Sequence, residues 1–264
     1  MINNTLDIEK IKSNLSTSVI GNNIIIPDSV ESTNEYLKNL GMNKEKEGTV
    51  VVSMEQTKGK GRLGRSWTTE KNKSLALSVL LRPNLTPQEA CGITPLAGLA
   101  VCKVINDFCL IDSKIKWPND IVVNSKKLCG ILSEMEVKED KVDYVVIGIG
   151  INLYNSIFED ELSHATSVFL ESGRRIDVNK FVAKLLKSIE DIVMGNHYTL
   201  TGESIVDYRS LCASIGRQVM FNRGNRDICG MATGVNNCGE LEVMLSDGTV
   251  ATVNCGEVTV QGIY

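Results

Sequence analysis

Residues 56–67 read Gln-Thr-Lys-Gly-Lys-Gly-Arg-Leu-Gly-Arg-Ser-Trp, and two well-known fold motifs compete for this stretch. Gly59, Gly61 and Gly64 satisfy the G-x-G-x-x-G dinucleotide pattern, and Gly59, Gly64, Arg65 and Ser66 nearly satisfy a P-loop. Both motifs need a buried strand before the loop and an apolar helix directly after it. The strand is present at residues 49–54. Residues 68–74, however, are polar and carry no helical period, and a P-loop needs lysine where Arg65 stands. The sequence therefore argues against both. What is left is a loop whose glycines let backbone N–H groups face a ligand. Lys58, Lys60, Arg62 and Arg65 add charge-assisted donors for carboxylate or phosphate oxygens, and Trp67 adds a flat face for a ring. An anionic ligand carrying a ring fits these groups; an exposed basic loop without a ligand is the plainer alternative.

Around the loop, the chain has 264 residues, enough for one large domain and a small one. It is 42% hydrophobic and 23% charged, as soluble globular proteins are. The formal charge is −4, so the basic loop stands on an acidic background and no broad footprint for nucleic acid exists. The eight cysteines form no C-x-x-C pair, and with only His164 and His197 no zinc-site spacing arises. No signal peptide and no apolar run long enough to span a bilayer is visible. A reduced, cytoplasmic protein is expected.

Taken in order, residues 7–15 are expected as a short helix and residues 23–26 as a strand. Pro27 and Asp28 turn the chain into Ser32-Thr33-Asn34, where Ser32 or Thr33 can cap a helix over 35–40. A helix N-terminus also suits a polar ligand. Residues 75–81 read as a buried strand. Thr86-Pro87-Gln88-Glu89 is a capping box, and Pro95 should interrupt the helix it starts, leaving a longer helix from 95 to about 109.

A second dense patch is Ile115-Lys116-Trp117-Pro118-Asn119-Asp120-Ile121. A strand running into an X-Pro bend would present Lys116, Asn119 and Asp120 at a sheet edge, although Pro-Asn-Asp alone is a common turn. Lys126 and Lys127 are expected in the turn after a short strand at 121–123. Residues 127–137 and 143–151 then make a hairpin, which ends Gly148-Ile149-Gly150-Ile151-Asn152. Glycines inside a buried strand suggest the close approach of another backbone or a ligand. Further on, Val178, Phe181, Val182, Leu185, Leu186, Ile189, Ile192 and Val193 form one helical stripe behind Asp177 as cap. Beyond residue 211 short β-rich runs at 218–223, 228–235, 240–245, 249–255 and 257–261 alternate with Asn, Gly and Asp turns.

The ordered set is specific. A basic Gly-rich loop, then Lys-Trp-Pro-Asn-Asp, then Lys-Leu-Cys-Gly-Ile-Leu at 127–132, then Gly-Ile-Gly-Ile-Asn resembles a biotin protein ligase, and Ser32-Thr33-Asn34 fits the same family. The resemblance runs from about residue 28 to 152 and more loosely to the end. It implies an α+β fold: a mixed central sheet with flanking helices, a class II synthetase-like catalytic domain over 1–212, and an SH3-like β-barrel over 213–264. Some members carry an N-terminal helix-turn-helix and act as biotin-sensing repressors. Only about 27 residues precede the matching region that opens at residue 28, so the catalytic-only class is expected, without direct DNA binding.

The same resemblance implies the chemistry: biotin is joined to AMP from ATP with Mg²⁺, then passed to a lysine of a biotin carboxyl carrier protein. Lys127, Arg62 and Asp120 are the implied catalytic residues. Asp120, also the implied metal residue, would orient the acceptor amine or take its proton. Ser32, Thr33, Asn34, Gln56, Gly59, Lys60, Arg62, Lys127, Gly130 and Gly150 would bind biotin. Arg62, Arg65, Trp67, Asn119, Lys127 and Asn152 would bind ATP. Lys60 stands where the family more often has arginine, which weakens any bidentate carboxylate contact there. A lipoate ligase shares the fold and the adenylate logic, and a biotin-binding protein without turnover is the alternative from another class. The family often pairs through a sheet edge, which leaves a homodimer open.

Overall fold

Asp7, Ser32 and Asp177 each stand at a helix start with a side-chain oxygen accepting from backbone N–H groups inside the first turn, which fixes where three helices begin. The structure, a computed structural model, describes residues 5–224, 226–254 and 258–264. In chain order it contains α1 (Ile8–Asn14), β1 (Ile24–Ile25), α2 (Thr33–Met42), β2 (Val50–Ser53), β3 (Ser74–Leu81), α3 (Ile93–Cys109), β4 (Lys114–Lys116) and β5 (Asp120–Val123). Then come β6 (Lys126–Lys138), β7 (Lys141–Asn152), α4 (Val168–Ser172), α5 (Val178–Ile189) and α6 (Gly202–Leu211). Five strands close the chain: β8 (Gln218–Arg223), β9 (Arg226–Val235), β10 (Leu241–Met244), β11 (Val250–Val253) and β12 (Val258–Val260). Of the expected runs at 249–255 and 257–261, Cys255 and Glu257 lie outside the described residues.

The first seven strands form one sheet in the order β1-β2-β3-β7-β6-β5-β4, with β1 parallel to β2 and every other pair antiparallel. Strand side chains alternate between faces, and the two faces here have different jobs. Leu75, Leu77, Val79 and Leu81 of β3 pack into the large core that also holds Leu96, Ala100, Phe181 and Leu185 of α3 and α5. Each such side chain contributes about 1.5–3 kcal/mol by leaving water. On the other face, Leu80 joins Val51, Val146 and Leu37 of α2. Further along that second face the residues shrink to Ser78 and Ala76, paired with Gly148 and Gly150, while Gly130 pairs with Gly150. The sheet is covered by α2 where its residues are large and hollow where they are small.

The second sheet, β11-β10-β9-β8-β12, is antiparallel throughout. It is tied to the first by Trp117, 1% exposed, whose indole donates to Gly239 O at 2.9 Å and whose backbone N donates to Ser214 Oγ. A mixed sheet flanked by helices with a small C-terminal β unit is the expected fold class.

Several local expectations change. Pro95 does not break the helix: α3 starts at Ile93, so Pro95 falls in the first turn, where its missing N–H has no intrahelical partner to lose. The Thr86–Glu89 box forms, but it starts a 3₁₀ turn at Glu89–Gly92 that runs into α3. Lys126 and Lys127 are not in the turn; Asn124 and Ser125, with φ of 49° and 65°, make it, and both lysines open β6. The short α4 and the whole of α6 lie in stretches where the sequence suggested no element. Finally, Glu89–Cys109 is one helical stretch long and apolar enough, by length and composition, to cross a membrane; 67% of its most apolar window is buried in the protein core.

Candidate active site

The hollow end of the sheet is the floor of a cavity of about 970 Å³, within the range of small-molecule sites. Its size depends on missing side chains. A Cβ on Gly150 would lie 2.5 Å from Trp67 Cε2, one on Gly130 would lie 3.1 Å from Trp67 Cζ3, and one on Gly148 would lie 2.1 Å from Asn34 Oδ1. Floor glycines thus leave room for Trp67 from above and for Asn34 from α2.

At the α2 end the polar groups are largely paired with one another. Gln56 Oε1 accepts from Thr33 N at 2.8 Å and from Thr33 Oγ1 at 3.1 Å. Ser78 Oγ lies 2.8 Å from Thr33 Oγ1 and 2.6 Å from Asn34 Oδ1, while Asn34 Nδ2 donates to Leu132 O and Glu134 Oε2. Ser32 caps α2 through a 3.5 Å contact to Glu35 N. Ser32, Thr33 and Asn34 are 3–4% exposed, so this corner is held fixed before any ligand arrives.

The 56–67 loop folds back on itself. Gly61 N donates to Arg65 O and Trp67 N to Gly59 O, around a short 3₁₀ turn at Arg62–Gly64 with Leu63 at φ 55°. Gly59 is not on the cavity wall: it is buried under Trp67, whose carbonyl oxygen a Cβ there would meet at 2.4 Å. Lys60 pairs with Glu35 at 2.7 Å and Arg62 donates to Asn119 Oδ1 at 2.9 Å. Arg65 lines the cavity beside them. Trp67 lies over the Gly130–Gly150 floor with Lys127 Nζ 5.6 Å from its ring centroid, and its indole N–H is buried without a hydrogen-bond partner. A buried unpaired N–H facing a cavity is a position that a ligand acceptor would satisfy.

The wall opposite is charged and sits on strands. Asn119 clamps β6 by donating to Ile131 O and accepting from Ile131 N, both at 2.9 Å. Lys127 Nζ is 2.7 Å from Asp120 Oδ1, an ion pair that lies off a hydrogen-bond line, since Oδ1 is buried with no hydrogen bond. Asn152 is turned away to Thr166 O at 3.0 Å, its side chain bordering the same cavity. Lys116 is 9% exposed; burial above all pushes its ammonium down to about 8, with Asp120 opposing and Lys127 and Arg65 adding to the shift.

Three contributors escape a sequence reading. Ser78 is one of many strand serines, and only the fold sets it between Thr33 and Asn34. His164 meets the wall through its backbone, accepting from Lys127 N at 2.8 Å. Tyr264, 144 residues beyond Asp120, donates its phenol to Asp120 Oδ2 under the Lys116 ammonium. No spacing rule connects residues that far apart.

Among the described residues no cluster of three or more His, Cys, Asp or Glu side chains could cage a metal ion. Asp120 with its orphan Oδ1 is a single carboxylate, a donor set that suits Mg²⁺ carried mainly by substrate phosphates and water.

Residues 26–152 match the biotin/lipoate A/B protein ligase family. The chain is 35% identical over 244 residues to the bifunctional ligase/repressor BirA of Bacillus spizizenii, spanning 90% of this chain and 74% of that protein. It is 30% identical over 217 residues to a biotin--[acetyl-CoA-carboxylase] ligase of Mycobacterium tuberculosis, 80% of this chain and 79% of that one. Among solved structures, the biotin protein ligase from Aquifex aeolicus in complex with biotin and ATP superposes with a TM-score of 0.75 at 28% identity, covering 91% of this chain and 99% of that one. With motif order, fold and relatives in agreement, the chain belongs to the biotin/lipoate A/B protein ligase family.

Proposed function

We propose that the protein is an ATP-dependent biotin ligase that makes biotinyl-5'-AMP and transfers the biotinyl group to a lysine of a biotin carboxyl carrier protein. The observation that carries the reading is one cavity with two unlike ends. A glycine-floored corner of fixed, neutral hydrogen-bonding groups adjoins a wall of Lys116, Lys127, Arg62 and Arg65. A neutral ring system with a carboxylate tail suits the first end, and a triphosphate suits the second.

In the first half-reaction a carboxylate oxygen attacks the α-phosphorus of ATP, an O–P bond forms, and pyrophosphate leaves. Carboxylate and phosphate repel each other by about 4 kcal/mol at about 4 Å and an effective dielectric of about 20. Lys127 and Arg62 are placed to offset this and to stabilise charge growing on the phosphoryl oxygens. Thr33, Gln56 and Ser32 would hold the biotin head, with Gly130 and Gly150 flooring its slot once Trp67, which packs on them here, moves aside. Trp67 would cover the adenine, and Asn119 would support Arg62 on the phosphates. Mg²⁺ would be held by the phosphates with Asp120 as its protein carboxylate and would neutralise phosphate charge when bound.

In the second half-reaction the acceptor amine forms a C–N bond at the biotinyl carbonyl, the bond to the phosphate oxygen breaks, AMP leaves with the electron pair, and one amine proton is lost. Asp120 Oδ1, buried and without a hydrogen bond, is the group we assign to orienting that amine. We further place the domain boundary at 212/213 and the protein in the cytoplasm, the latter supported by seven free cysteines among the described residues. The acceptor would be the carrier domain of acetyl-CoA or another biotin-dependent carboxylase. Direct DNA binding forms no part of the reading, and homodimerisation stays compatible with it.

The test is release of pyrophosphate from ATP by the purified protein. It should require biotin and Mg²⁺ and be followed by labelling of a carrier-domain lysine. Equal activity with lipoate in place of biotin would sink the assignment.

A further inference from the structure

We propose that Tyr264 is a positioning residue for the lysine-transfer step, acting through Asp120; the inference rests on the ligase reading above. Tyr264 follows Ile263, which is 2% exposed and bridged to Val260 beside β12, so the C-terminal sheet delivers the ring to the catalytic sheet. Three contacts then hold it. The phenol donates to Asp120 Oδ2, Lys116 Nζ lies 3.5 Å from the ring centroid, and the His164 ring stacks on it at 5.0 Å and 24°. These partners come from β5, from β4 and from the segment before α4, so the ring is fixed by three separate parts of the fold.

The consequence falls on the carboxylate. With Oδ2 taken by the phenol, the Asp120 side chain cannot turn both oxygens toward Lys127, and Oδ1 stays in the cavity wall 2.7 Å from Lys127 Nζ without a hydrogen bond. A carboxylate oxygen can accept more than one donor. Oδ1 is therefore the acceptor that can align an incoming amine N–H, leaving the nitrogen lone pair for the biotinyl carbonyl. Tyr264 itself does not touch the reacting atoms in this scheme. It sets the torsion of the group that does.

The experiment separates the half-reactions in wild type, Tyr264→Phe, Asp120→Ala and the double variant. Phenylalanine keeps the ring on Lys116 and His164 and removes only the hydroxyl. One readout is biotin-dependent exchange of pyrophosphate into ATP. The other is single-turnover transfer from preformed biotinyl-adenylate to a carrier domain over a range of carrier concentrations. Tyr264→Phe should slow saturated transfer about tenfold, at least fivefold more than it slows exchange, with the half-saturating carrier concentration within about twofold of wild type. In the Asp120→Ala background the same substitution should have no further effect, because the hydroxyl has lost the group it positions. Unaltered transfer by Tyr264→Phe, equal losses in both half-reactions, or additive effects with Asp120→Ala each overturn the inference. Wild-type protein lacking biotin-dependent exchange overturns the substrate reading and this inference together; intact wild-type chemistry with an unaffected Phe variant overturns the inference alone.

Discussion

Lys60 of the loop and the strand lysines face one cavity with the same formal charge, in opposite surroundings. Lys58 and Lys60 have side chains 71% and 51% exposed and pair with Glu31 and Glu35. Such surface pairs are worth about 0–1 kcal/mol, so these cations can be redeployed toward a ligand at little cost. Lys127 and Lys116 stand on β6 and β4, with the Lys127 side chain 24% exposed and Lys116 at 9%. These strand lysines are more buried than the loop ones, and Lys116 is largely desolvated before any substrate binds. The loop supplies adaptable charge, and the sheet supplies charge already in place, which is the kind that stabilises a transition state without reorganisation.

The sharpest test of that contrast is Lys127→Met, which keeps the stem and removes the charge. Adenylate formation, followed by biotin-dependent pyrophosphate exchange, should fall 100-fold or more, roughly 3 kcal/mol. Because Lys127 is half of a partly buried ion pair rather than a turn residue, its loss strands Asp120, and the melting temperature should drop by a few degrees as well. A variant with wild-type exchange would move the centre of the chemistry to the loop.

Arg62→Gly probes the loop itself. Adenylate synthesis should partly survive, but losing one or two charge-assisted hydrogen bonds of about 1.5–3 kcal/mol each should speed release of the intermediate at least tenfold. Free biotinyl-adenylate would then acylate exposed lysines on a bystander protein mixed with the acceptor. Labelling confined to the acceptor would show that retention belongs to another group.

Lys116→Met should separate function from stability. The folded-state pKa near 8 lies below the ordinary 10.5, so the unfolded chain holds this proton more tightly and the charge opposes folding at pH 7. Removing it should stabilise the fold at pH 7 by on the order of 1–3 kcal/mol, read as a higher melting temperature, while adenylate formation falls. Wild-type stability gains on that variant as pH rises from 8 toward 10.5, where the lysine becomes neutral in both states. A lower melting temperature at pH 7 would show that Lys116 is stabilised by its neighbours instead.

The smallest effect is expected at Lys60→Ala. Stability should change by less than about 1 kcal/mol, and less still at high salt, as for an exposed pair. Biotin affinity measured by titration should fall only a few-fold. A loss above about tenfold would show that Lys60 leaves Glu35 for the ligand, and that even the outermost loop cation is part of the site.

Much of this architecture was legible in the chain. The buried strands at 75–81 and 143–151, the caps Ser32 and Asp177, and the apolar stripe of α5 depend on local chemistry, and each lies close to where its pattern puts it. The misplacements were local as well. Pro95 sits inside a first turn because α3 begins two residues before it, and Lys127 opens a strand because Asn124 and Ser125, a weaker hairpin signal than Asn-Gly, make the turn. Of the fifteen candidate residues, fourteen line one cavity and one does not. That one, Gly59, supports Trp67 from below.

The sequence by itself determined which chemistry was present: glycines in β6 and β7 that leave a floor, cations in two clusters, and the motif order that identifies the family. Only the tertiary structure decided which cations are preset, because burial and pairing depend on neighbours from distant strands. It also decided that Tyr264 meets Asp120, since a contact across 144 residues rests on how the C-terminal sheet sits beside the catalytic one, tied there by Trp117, and leaves no periodicity behind.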